Sequence, residues 1–300
     1  MRSMLLIALS ALLAPTLAAQ TAAPVTPVVV PYAPPASSSV LTSTFVDWDS
    51  LIARGTPTGE VRQVFDNPTP TLEKLESHIT TLNPGMVSHP VHRHPWEEVI
   101  YLREGTLEVA AAGRKLQAGP GALIFLASND PHNLTNTGIT PAIYYIIDFV
   151  TDKVHTVADK SAPPGAAPET AQAVPGMLAS AVIDCNALPQ TSTPTGSRVT
   201  VVNSPTLTFD AFESHITTLN PGQSTAKDML DSGDEVVIIK SGTVEVTVNG
   251  VAARMAAGSM VYWVPNDKRT LRNLGSAPAS YQVLKVTSAK SPNPPAAVPR

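Results

Sequence analysis

The sequence has a single cysteine, Cys185, so no intramolecular disulfide can form and stability must come from packing. Charge is also scarce. Asp, Glu, Lys and Arg make up 15% of the 300 residues, against roughly 25% in ordinary soluble domains. The net charge is −4 with no long run of either sign, which argues against a nucleic-acid partner. No apolar stretch reaches the roughly 20 residues that a bilayer-spanning helix needs. The nearest, Met4 to Leu13, follows Arg2 and ends near the small residues Ala18 and Ala19. Positive charge, short apolar core and small-residue exit describe a secretory signal peptide over residues 1–19. The expectation is an exported protein, periplasmic or secreted, with no membrane span in its mature form.

Proline is abundant, at 29 of 300 residues, about twice the usual 5%. Nearly half of the prolines fall in three places, residues 1–40, 156–181 and 291–300. These read as a tether over 20–40, a linker over 156–177 and a tail over 290–300. What lies between is poorer in proline than those segments and rich in Val, Thr and Ile, the composition of β-structure. Two ordered blocks remain, 41–155 and 178–289.

The blocks are copies. The string ESHITTLNPG at 76–85 returns at 213–222, an offset of 137. The same offset pairs TPTG at 56–59 with 193–196, Glu98 with Glu235, Gly105 with Gly242 and Asn136 with Asn273. Two segments this alike share one fold. Within the first copy, short β-rich runs (76–82, 98–103, 106–110, 122–126 and 141–149) are separated by turn signals such as Asn83-Pro84-Gly85 and Gly119-Pro120-Gly121. Such spacing within a small block predicts an all-β sandwich or barrel, a small jelly roll in each block.

The copies differ where chemistry is expected. The first has a glycine before His92-x-His94-x3-Glu98, a glycine at 105, then Gly121, His132 and Asn136. This pattern resembles the two motifs of the cupin superfamily, and the duplication resembles its two-domain bicupins. The resemblance implies two tandem cupin jelly-roll (double-stranded β-helix) barrels. There are two departures: six residues rather than five precede His92, and Ala127-Ser128-Asn129 stands where the family has Pro-x-Gly. The spacing supports the same site independently. Two-residue periodicity puts His92 and His94 on one strand face, with Glu98 on the same face at the start of the next strand. Three imidazoles and a carboxylate suit one divalent transition metal (Mn, Fe, Ni, Cu, Co or Zn) without selecting among them. Alternation also sends Glu97 and Tyr101 to the opposite face, where Glu97 is expected to be solvated and Tyr101 to point outward. Ile100 and Leu102 are expected to line the barrel.

The second copy has Met229, Asp231, Glu235 and Arg269 at the four ligand positions, which removes the metal site there. Arg269 is expected to stand in for the metal's charge, as a bidentate partner of Glu235 or Asp231. His78 recurs as His215 in the metal-free copy and so reads as structural. His89 has no counterpart there and reads as an exposed loop residue, with a support or lid role beside the ligands as the alternative. In layout the chain looks like the flavonol-cleaving dioxygenases among bicupins. Oxalate decarboxylases carry ligands in both barrels and aminohydrolases in the second. The expected function is an exported, oxygenase-like metal enzyme acting on a small organic molecule. Two alternatives stand beside it, a non-catalytic small-molecule-binding module and a structural metal in an interaction protein. Open sheet edges are compatible with a homodimer.

Overall fold

The computed structural model describes residues 27–158 and 174–293. The expected signal peptide, the first part of the tether, most of the linker and most of the tail lie outside the described residues. Nearly every described element is a β-strand, as alternating β-branched runs broken by turns require. No helix among the described residues is long and apolar enough to cross a membrane.

Each barrel sets a large sheet against a small one. In the first, the seven-stranded sheet has at its centre the strands Lys74–Leu82, Ala142–Val150, Glu98–Glu104 and Leu123–Leu126. The facing sheet contains His92–Arg93, His132–Asn136, Leu107–Ala111 and Arg114–Ala118. The second barrel repeats the plan, with Asp234–Ser241, Met260–Trp263 and Ala279–Thr287 beside Ala211–Leu219, and with Arg269–Asn273 in the small sheet. The motif glycines explain part of the tight geometry. Gly105 and Gly242 sit at φ +86° and +79°, and a Cβ at either would meet the backbone or side chain of Ala142 or Ala279 within 3 Å. Only glycine combines that dihedral with that approach.

Alternation sorts each central strand into two cores. From Glu98–Glu104, Ile100 and Leu102 enter the first barrel's interior with Leu82, Val109 and Leu134. Val99 and Tyr101 point the other way, into a core shared with Phe212, Val236, Ile238 and Tyr262 of the second barrel. Tyr101 does leave the barrel as expected, but it reaches no solvent, since only 4% of it is exposed. The outer face of the large sheet is the interface between the barrels, which hydrophobic period alone does not reveal.

Glu97 is corrected for the same reason. It points away from the barrel interior, as expected, but it is fully buried rather than solvated. Its carboxylate accepts hydrogen bonds from the Thr206 hydroxyl at 2.7 Å, the Thr208 hydroxyl at 2.5 Å and the Leu207 amide at 2.8 Å, all from the second barrel. The contact is returned. Asp234, the residue at the equivalent offset, accepts from Thr69 at 3.1 Å, from Thr71, and from Tyr262 at 2.6 Å. Burial raises the affinity of both carboxyls for a proton, against the hydrogen bonds that lower it. Glu97→Ala leaves several buried donors without an acceptor and is expected to cost on the order of 3 kcal/mol in urea unfolding. Glu97→Gln keeps one carbonyl oxygen and should lose clearly less. Equal losses for the two variants would mean that packing, not hydrogen bonding, holds this contact.

The barrels also exchange strands. Thr44–Val46, from the first copy's N-terminal side, pairs antiparallel with Met260–Trp263 in the second barrel's sheet. Its counterpart Ala181–Ile183 pairs with Leu123–Leu126 in the first. Cys185, just after that strand, is buried and free, as a packed small hydrophobe.

Candidate metal centre

Three elements of the first barrel bring the histidines together. His92 lies in the short strand His92–Arg93, which pairs with His132 at the start of His132–Asn136. His94 follows where that strand ends. The ligating atoms offered by His92, His94 and His132 all lie within 4.8 Å of one another. Glu98, first residue of the central strand, brings its Oε2 to 3.3 Å from His94 Nε2 and 4.0 Å from His132 Nε2. His94, Glu98 and His132 are buried and His92 is half-buried.

The ring orientations suit metal ligation. His94 Nδ1 donates to the Trp96 carbonyl at 2.9 Å, and His132 Nδ1 donates to the Asp130 carbonyl at 2.7 Å. Binding Nδ1–H to a backbone carbonyl fixes the tautomer and leaves Nε2 as the inward donor atom. His132 Nε2 is buried with no hydrogen-bond partner. His94 has an acceptor on each side, the Trp96 carbonyl and Glu98. Either a second proton or a metal ion must occupy the Nε2 side. An orphaned imidazole nitrogen beside an imidazole–carboxylate contact fits a divalent cation.

Electrostatics point the same way. Burial, together with the neighbouring imidazoles, holds His92 down to about 4. Burial lowers His132 to about 3, against the pull of Glu98. Burial would raise Glu98, but the hydrogen bond from His94 and the nearby imidazoles outweigh it and hold the carboxyl at about 2. At neutral pH, therefore, the set presents neutral His92 and His132 rings and an ionised carboxylate, the protonation states that metal binding requires.

Sequence reading missed the supports around this set. Trp96 stacks flat on the His94 ring, 4.2 Å between centroids and 4° between planes. Its indole N–H donates to Asp148 Oδ2 at 2.9 Å. Asp148 is buried, its Oδ1 has no partner, and burial with Glu98 and Glu76 nearby raises its proton affinity well above the ordinary carboxyl range. Trp96 thus acts as a positioning residue for His94, and Asp148 holds Trp96. Two signals were available at the repeat offset, Lys285 in place of Asp148 and Gly233 in place of Trp96. His89 is another correction. It is half-buried, its Nδ1 lies 2.8 Å from His92 Nδ1, and the two rings are 4.0 Å apart. The strand Val28–Val29 runs parallel to His92–Arg93, with the Val28 amide donating to the Val91 carbonyl at 2.9 Å.

The asparagines that both copies share serve turns. Asn136 donates to the Leu82 and Thr140 carbonyls and accepts from the Gly138 amide, and Asn273 repeats the arrangement. Asn129 stands at φ +64°, which explains how Ala127-Ser128-Asn129 replaces a motif ending in glycine. His78 binds Glu76 at 3.0 Å.

A family model described as a cupin domain matches residues 78–148 and again 215–285, the same offset of 137 that relates the two copies. The chain carries two cupin domains. No curated protein matches the sequence. Solved bicupin structures are similar in fold. An S161A mutant of Bacillus subtilis oxalate decarboxylase is 16% identical, with a TM-score of 0.62 over 83% of this chain and 78% of that one. A formate complex of Lactobacillus farciminis oxalate decarboxylase is also 16% identical, with a TM-score of 0.62 over 86% of this chain and 90% of that one. The Bacillus subtilis enzyme is described as holding Mn(II) centres. At this identity the likeness is one of fold.

The second cupin domain has a different interior. Met229 and Arg269 form an isolated antiparallel bridge in place of the His92–His132 pairing. Arg269 is buried, and its Nη2 donates to Glu235 Oε1 at 2.5 Å, with Asp231 Oδ2 farther off at 3.7 Å. The expected charge substitution is present, but the pairing is single rather than bidentate. The guanidinium also lies 5.0 Å from the centre of the Trp263 ring. Burial pushes Glu235 up to about 7 even against the Arg269 charge. Burial, with Arg198 and Lys285 adding to it, lowers His215 to about 3, so that ring is neutral.

Proposed function

We propose that this cupin is a mononuclear metal enzyme whose chemistry takes place in its N-terminal barrel, on a small organic molecule and with oxygenase-type turnover. The observation that carries the reading is the convergence of His92, His94 and His132, with the Nδ1 atoms of His94 and His132 committed to backbone carbonyls. Glu98 is the proposed fourth ligand, ionised and placed against two of the imidazoles. A divalent ion held there supplies Lewis acidity and open coordination positions. The protein's own contribution is orientation and exclusion of water. Trp96 fixes the plane of His94, His89 packs on His92, and Ile100 and Leu102 wall the interior with hydrocarbon. Asp148, buried beside Trp96 with one free oxygen, is a group able to hold a proton without being a ligand. The Mn(II) centres of the Bacillus subtilis relative make manganese one candidate ion. We also propose that the protein acts outside the cytoplasm, on the strength of the signal-like residues 1–19.

The test is elemental analysis of protein purified without chelators, followed by turnover under oxygen. Close to one equivalent of a transition metal, with oxygen consumed on addition of substrate, is the expected result. Manganese without oxygen uptake would move the chemistry to decarboxylation, isomerisation or hydrolysis. No stoichiometric metal would end the enzymatic reading.

A further inference from the structure

The second barrel has an open-mouthed cavity of about 440 Å³ at the place where the first has its histidines. That volume lies within the range of about 300–1,000 Å³ usual for small-ligand sites. Its chemistry is the reverse of the first barrel's. At the repeat offset, Val61 becomes Arg198, Asp148 becomes Lys285 and His132 becomes Arg269, so positive charge is introduced at three positions facing one space.

Two of the groups lining the cavity are left short of partners. Arg269 uses only Nη2 on Glu235, while its Nε and Nη1 are buried and unbonded. The indole N–H of Trp263, which also lines the cavity, is likewise buried and unbonded. Buried donors without acceptors carry an uncompensated desolvation cost. Oxygen atoms are what such donors lack. At the rim, Arg198 is exposed and has no carboxylate within ion-pair distance among the described residues. Lys285, by contrast, is occupied by Glu213 at 2.9 Å and Asp231 at 3.3 Å.

We propose that the metal-free barrel binds a small organic monocarboxylate, with Arg269 and the Trp263 N–H receiving its oxygens and Arg198 guiding it in. A single negative charge matches the site better than a phosphate, because Glu213, Asp231 and Glu235 line the same cavity and would oppose a second one. Met229, Leu271 and the Trp263 ring give the cavity an apolar side for a hydrocarbon or aromatic body. The site does not depend on the metal reading of the first barrel, since none of its lining residues belongs to that barrel.

Calorimetric titration of the intact protein with acetate, hexanoate and benzoate tests this, with benzyl alcohol as the uncharged control. Benzoate or hexanoate is expected to bind saturably, with Kd at or below about 1 mM, and to weaken as salt rises. The double variant Arg269→Met/Glu235→Leu, which leaves no stranded charge, should weaken binding by about tenfold or more. Arg198→Ala, at an exposed position that does not threaten folding, should weaken it as well. His132→Ala should leave it unchanged. No saturable binding of any of the three acids overturns the proposal. Benzyl alcohol binding as well as benzoate also overturns it, as does loss of binding in His132→Ala with retention in both arginine variants.

Discussion

His132→Ala should leave the protein folded but without stoichiometric metal, and any metal-dependent turnover should disappear with it. Loss of groups that only support a ligand weakens metal sites by about 10–100-fold, so removal of a direct donor should exceed that. Trp96→Phe, which keeps the ring but loses the N–H bond to Asp148, should fall inside it. His132→Ala also carries a pH signature in metal-free protein. His132 is held down at about 3 in the folded chain against an ordinary value of 6.5, so between those limits the unfolded chain binds more protons. Stability therefore rises with pH across that window and is lost as pH falls from about 6.5 toward 3. His92, lowered to about 4, adds in the same direction. Removing His132 should flatten this acid slope in thermal unfolding. A variant that keeps its metal, or whose slope is unchanged, would mean that His132 is not the buried neutral donor described above.

The second large effect lies in the other barrel. Arg269→Met leaves Glu235 buried at 3% exposure without its cation. Stranding one member of a buried pair costs roughly 3–5 kcal/mol, whereas replacing both members by apolar groups is often neutral. Glu235→Leu added to Arg269→Met should therefore recover most of the loss. The deficit of the single variant should also shrink in acid. Glu235 already titrates near 7 with the arginine present, and the lone carboxyl escapes its penalty by taking a proton. Urea unfolding of the single and double variants at pH 5 and pH 8 measures all of this. A single variant as stable as wild type would mean that the pair contributes nothing.

How much of this was legible depends on what a residue's neighbours are. The repeat, the β-architecture, the histidine set and the Arg269–Glu235 pair were readable because each is written in local spacing or in a comparison of the two copies. Alternation correctly sent Glu97 and Tyr101 out of the barrel, but it cannot say whether the space outside holds water or a second barrel. A signal did exist. The acid at 97 and 234 and the threonines at 69, 71, 206 and 208 recur at the same offset, and a polar set kept through duplication suggests contact. His89, Trp96 and Asp148 were hidden for a different reason. Their roles arise from loop closure and from register across three strands, which no window of sequence contains.

The crossed pairing of Thr44–Val46 and Ala181–Ile183 makes each half the tailor of the other's hem. Severed between the repeats, neither fragment would simply be a smaller version of the whole. Each would carry a strand belonging elsewhere and a raw backbone border where its own should be, a ready template for indiscriminate self-association. Cutting the chain between its repeats is therefore expected to yield two incomplete barrels rather than two free-standing ones.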